Sequence, residues 1–122
     1  MMQVLKALKN ELESLKIPYS YDEWEKDVEL PYCVGELSEI TTNDEDGKRE
    51  FSFILTGEDV DTYTNLYRVT EFLKKEYKQS KKIKLDTGLM VMTYNRTFNV
   101  PVDGERVKRT QTEFTLYVWE EE

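Results

Sequence analysis

Histidine is absent from this 122-residue chain, and cysteine occurs once, at Cys33. The first absence removes the commonest general base and the commonest metal ligand. The second excludes an intramolecular disulfide and a cysteine-only metal site. The five glycines (35, 47, 57, 88 and 104) all stand alone, so there is no glycine-rich phosphate loop, and each fits a turn or a bulge. No stretch reaches the ~18–20 apolar residues of a membrane span. The N-terminal run MMQVLKALKNELESLKI is broken by Lys6, Lys9, Asn10 and Glu11 before it forms the apolar core of a secretory signal. Positive charge is the scarcer sign: 17 Lys+Arg against 25 Asp+Glu give a net charge of −8, that of a poor general polyanion binder. These features point to a reducing cytoplasm or an assembly built there, with no membrane partner. Cys33, with no histidine to activate it, reads as a small hydrophobe.

What is present suffices for one core. Apolar residues make up 39% of the chain, and neither repeat nor linker divides it, so residues 1–122 read as a single domain. Residues 2–16 read as a helix, with Met2, Leu5, Leu8, Leu12 and Leu15 at spacings of three and four, ended by Pro18. Tyr19 and Tyr21 alternate with polar neighbours as a short strand. Residues 31–40 read as a second strand opening on Pro31, with Gly35 marking a bulge or a close backbone approach. Residues 49–57 read as a third, with Phe51, Phe53 and Leu55 on one face, and Asp46-Gly47 makes the intervening loop a hairpin tip. A second helix over 61–79 has Asp61 or Thr62 as its cap and an inner stripe of Leu66, Val69, Thr70, Leu73 and Tyr77. Its C-terminal Lys74, Lys75 and Lys78 suit the helix dipole. Strands over 88–98 and 111–119 complete the chain. The last directs Phe114, Leu116 and Val118 one way and Thr115, Tyr117 and Trp119 the other, so both its faces call for cover. The expected fold is α+β: a mostly antiparallel sheet of four to five strands with two helices packed on one face.

Chemistry is harder to find. No nucleophile has a base at a recognisable spacing, and nothing singles out a carboxylate pair among 25 acidic residues. The acidic tip Asn43-Asp44-Glu45-Asp46-Gly47 fails as an EF-hand loop. With Gly47 at position six, positions one and twelve fall on Thr42 and Phe53. The expectation is therefore no enzyme, no cofactor and no metal. The one charge anomaly is KKEYKQSKKIK at 74–84, with six lysines and one glutamate. It reads either as a solvated helix end or as a contact patch complementary to an acidic surface, for which a neighbouring copy suits better than DNA. Arg106, Lys108 and Arg109 form a weaker basic run, also compatible with a solvated loop. The candidate interface residues are thus Asp44, Glu45 and Asp46 on the acidic side. On the basic side they are Lys74, Lys78, Lys81, Lys82, Lys84, Arg106, Lys108 and Arg109. Unlike patches on identical subunits associate head to tail, which closes into a ring where the rotation allows.

Three segments carry a resemblance: PYCVGELSEI at 31–40, EFSFILTG at 50–57 behind the acidic hairpin, and VPVDGERVKRTQTEFTLYVWE at 100–120. With the N-terminal leucine-rich helix and the helix after LTG, the pattern resembles the tail-completion proteins (tail terminators, or tail-to-head joining proteins) of long-tailed phages and prophages. Cys33 stands where the pattern favours an aromatic residue. The resemblance implies a structural protein that caps the finished tail tube, halts its growth and offers a surface to the head connector, or stopper. It further implies a ring, hexameric in that family, around a channel that DNA crosses without specific binding. The place implied is the virion's tail–head junction, after assembly in the host bacterial cytoplasm. It brings no reactive residue. Another head–tail or tail component, or a small monomeric binding or regulatory domain, is the alternative.

Overall fold

The computed structural model describes residues 2–21, 31–41, 47–103 and 106–120. Its elements run α1 (Met2–Ser14), β1 (Tyr19–Tyr21), β2 (Tyr32–Thr41), β3 (Lys48–Val60), α2 (Thr64–Tyr77), β4 (Lys81–Leu85), β5 (Gly88–Val100) and β6 (Val107–Glu120). The strands form one six-stranded sheet in the order β1-β2-β3-β6-β5-β4. The α+β class and the mostly antiparallel pairing are as expected, but the sheet has six strands where four to five were expected. β1 pairs with β2 in parallel, and every other pairing is antiparallel.

Alternation along the strands decides the layering. Phe51, Phe53 and Leu55 of β3, Phe114, Leu116 and Val118 of β6, and Met90 and Met92 of β5 share one face and are buried. Val4, Leu8 and Leu12 of α1 and Leu73 and Tyr77 of α2 join them in a single core, so both helices lie on that face. Phe114 is its hub: the rings of Phe53, Tyr77 and Tyr94 stand 6.0, 5.6 and 6.0 Å from it, the latter two edge-on.

The inner stripe of α1 is rotated from the expected one. Val4, Leu8 and Leu12 are buried, whereas Met2 is 81% exposed and Leu5 only half-buried. The helix closes before Pro18, where the amides of Lys16 and Ile17 donate to the carbonyls of Glu13 (2.9 Å) and Leu12 (3.0 Å). That is a Schellman closure with Lys16 in the left-handed region, at φ 59°. α2 keeps its expected stripe, but neither Asp61 nor Thr62 caps it. Its N-cap is Tyr63 without a side-chain bond, and Asp61 adopts φ 70° and pairs instead with Arg106.

Gly35 marks a close approach rather than a bulge. A Cβ there would lie 2.6 Å from the Phe53 ring and 2.7 Å from that of Tyr19. The irregularity in β2 falls between Glu39 and Thr41. β4 is a strand that the sequence reading assigned to a lysine-rich helix end and loop.

Candidate interaction surface

The face of the sheet away from the helices has no described element over it. Register fixes its composition, because residues paired across neighbouring strands form rows. One row reads Lys84–Leu89–Trp119–Lys48 and the next Lys82–Val91–Tyr117–Glu50. Thr93–Thr115–Ser52–Ser38 follow, then Arg96–Glu113–Ile54–Glu36, Phe98–Gln111–Thr56–Val34 and Val100–Arg109–Glu58–Tyr32. Tyr32 and Val34 are buried; the rest of these side chains are half-buried or exposed. Hydroxyls, aromatic rings and charges thus alternate over the surface, unlike the opposite face, whose centre is apolar although it buries Asp59, Thr110 and Thr112 toward one end.

Several of its charges are tied locally, whereas Lys82, Lys84 and Glu36 are exposed. Arg96 forks onto Glu113 (Nε–Oε2 2.7 Å), and Arg109 pairs with Glu58. Lys48 Nζ stands 4.2 Å from the centre of the Tyr117 ring, and Arg96 lies over Phe98 at 5.0 Å. The hydrogen bond and charge of Arg96 hold the Glu113 carboxyl below the usual range, while the hydrogen bond from Tyr117 to Glu50 helps push the Tyr117 phenol up.

The structure scatters the residues that sequence had grouped. Asp44, Glu45 and Asp46 lie outside the described residues. Lys74 and Lys78 are exposed at the end of α2. Lys81 faces the helix side, where it forms ion pairs with Glu11 and Glu76 (3.0 Å to the latter). Lys82 and Lys84, alternating with it, are exposed on the opposite face. The lysine run is therefore split by strand periodicity between two sides of the sheet. The second basic run is split likewise. Arg106 pairs with Asp61 at 3.0 Å, Lys108 lies over the Tyr63 ring on the helix side, and Arg109 meets Glu58 on the open side. The charges of this run pair internally, and the strand β6 carries two of them in place of the expected loop.

At the helix side, Glu11 joins Tyr77 (2.9 Å) and Lys81. Burial, reinforced by Glu11, pushes the Tyr77 phenol well up. Gln3, Glu39, Arg49 and Glu120 close the other end of the core: Arg49 bonds Glu39 at 2.9 Å and Glu120 at 2.8 Å. A hollow of about 530 Å³ beside the β4–β5 turn, lined by Lys84, Asp86, Thr87, Leu89 and Trp119 among others, opens widely to solvent. Burial pushes the Cys33 thiol up to about 12, consistent with a packing role. Among the described residues, no three acidic or cysteine side chains gather as metal ligands.

Two features of this surface had no sequence signal: the end of the β4–β5 pairing at Met92, beyond which β5 has no second strand neighbour among the described residues, and the cross-strand rows themselves. Both depend on which strands become neighbours. No protein-family model matches the chain, and no curated protein matches it.

Proposed function

We propose that this chain is a structural assembly protein that acts by fitting against copies of itself and against its neighbours in a long-tailed phage particle. It caps the end of the tail tube, stops the tube's growth and provides the surface that joins tail to head. Its working form is a ring, hexameric by the resemblance, between tube protein and head connector. The observation that carries the reading is the large sheet face without a described covering layer, bearing Trp119, Tyr117, Ile54, Val91 and Phe98. Half-buried or exposed apolar and aromatic side chains among polar ones, some of them paired, suit a protein–protein contact surface. The resemblance of residues 31–40, 50–57 and 100–120 supplies the identity of the particle. The net charge of −8 is compatible with a channel through which DNA slides without adhering, as it is with many other roles.

Two measurements test this. Sedimentation across a concentration series, with and without purified tail tubes, should reveal a closed oligomer and tubes capped at one end. A phage lacking the gene should yield heads beside overlong, unjoined tails. A chain that stays monomeric at every concentration and leaves tube ends bare would overturn the proposal. Unaided polymerisation into tubes would point to a tube component.

A further inference from the structure

The sheet has two stepped edges. β4 pairs with β5 only from Gly88 to Met92, which leaves the outer edge of Thr93–Val100 without a described strand partner. β1 pairs with β2 only at Cys33, Val34 and Gly35, which leaves Glu36–Thr41 similarly open among the described residues. Val100, Arg109, Glu58 and Tyr32 lie in one row. The open half of β5 is therefore at that end of the sheet, and the open half of β2 is at the other. Resting on the ring reading, we infer that a second copy of this chain docks here: its β2 edge, Glu36–Thr41, pairs antiparallel with Val100–Asn95 of β5.

Three independent features fit. Direction is the first. β2, β3, β6 and β5 alternate in sense, so a copy continuing the sheet presents its β2 antiparallel to β5.

Backbone polarity is the second. The Cys33 amide points outward to the Pro18 carbonyl at 3.0 Å, so the odd residues of β2 turn their peptide groups to the outer edge. Alternation carried through the ladders turns Thr97 and Asn99 outward on β5. The longest overlap that clears both β1 and β4 sets Leu37 against Asn99 and Glu39 against Thr97 as hydrogen-bonded pairs, with Ser38 facing Phe98 between them. The Leu37 amide meanwhile donates to the Tyr21 hydroxyl at 3.3 Å, a long bond that a strand carbonyl would replace.

Exposed apolar surface is the third. Ile40 on one edge is 57% exposed and Phe98 on the other 36%. The joint brings Ile40 opposite Arg96, whose guanidinium already lies over Phe98.

Glu36 then takes the level that Tyr32 holds within one subunit. Each copy is thus displaced four residues along the strands, about 13 Å at ~3.3 Å per residue. Such a stagger, repeated around a ring, is the shear that a closed sheet of tilted strands requires. Left unpaired, edges of this kind are a hazard in solution, which their short, interrupted lengths restrain.

Disulfide trapping tests the joint. Full-length Ser38→Cys and Phe98→Cys chains are oxidised separately and as an equimolar mixture; the buried Cys33 thiol stays silent. The mixture should give a covalent pair through positions 38 and 98, and neither chain alone should. Ile40→Cys with Arg96→Cys is a second pair for the same register. Asn99→Pro removes the outward amide and should weaken self-association at least ~10-fold. Asn99→Ala, which loses only the side-chain bond to Tyr67, should not. A ring that forms without these cross-links, with a 98–98 disulfide alone, or with equal strength in the two Asn99 variants overturns the joint and leaves the ring reading standing. A chain that never associates, with or without tubes, overturns both.

Discussion

Gly35 and Gly57 are both buried in adjoining strands, yet they differ in what a methyl group would meet. At Gly35 it meets two aromatic rings, those of Phe53 and Tyr19, at 2.6 and 2.7 Å; at Gly57 the nearest atom is the terminal Cδ2 of Leu66, at 2.9 Å. Rings in a packed core have nowhere to turn, whereas a leucine tip does. Gly35→Ala should lower unfolding free energy by about 1–3 kcal/mol and Gly57→Ala by less, as read from denaturant midpoints. Charge supplies a second prediction at this scale. Hydrogen bonds from Arg49 hold the Glu39 carboxyl below its ordinary value, and Arg96 and Arg106 do the same for Glu113 and Asp61. A carboxyl depressed on folding contributes stability that is fully present above the unfolded value near ~4.3 and is lost as pH falls through the lower folded value. Glu39→Gln should therefore be less stable than the parent near about pH 6.5, and the two should converge below about pH 3. Midpoints that stay apart in acid would contradict this.

At the scale of elements, helix ends and strand edges decide most. α1 ends on a Schellman closure whose left-handed position is held by Lys16 rather than glycine. Glycine relieves the Cβ strain there at some cost in unfolded-chain entropy. Lys16→Gly should still raise stability by about 0.5–1 kcal/mol, visible as a higher thermal midpoint. β4 teaches a different lesson. Its lysines alternate between an ion-paired, half-buried place (Lys81) and exposed places on the open face (Lys82, Lys84). Lys81→Met should cost up to about 1 kcal/mol, a value kept small by partial solvent screening. Lys82→Met should stay within about 0.5 kcal/mol. Equal effects would mean that the strand's alternation does not govern its lysines.

For the whole molecule, the balance of charge predicts weak contact with nucleic acid. Arg96, Arg106 and Arg109 are engaged by Glu113, Asp61 and Glu58, and the chain carries a net −8. Duplex DNA should not be retarded by the protein at physiological salt, and Lys82→Glu with Lys84→Glu should leave that result unchanged. A salt-sensitive complex lost in the double variant would instead assign the β4 lysines to DNA. The sheet has one face under two helices, and the other carries half-buried Trp119, Tyr117 and Ile54.

The sequence by itself determined the class, the two helices, the buried alternation of Phe51-Phe53-Leu55 and Phe114-Leu116-Val118, and the stripe of α2. Each of these rests on periodicity within one segment, which a side chain's own spacing encodes. Only the tertiary structure decided that KKIKL is a strand, because Ile83 and Leu85 alone are a thin signal until β5 lies beside them. The rotation of α1 onto Val4 was decided in the same way, by the sheet it packs on. So were the parallel β1–β2 pair, the division of both basic runs between two faces, and the stepped edges. These follow from which strands become neighbours and in what register, and hydrogen bonds between distant backbones set that pairing without leaving a pattern in any local stretch of residues.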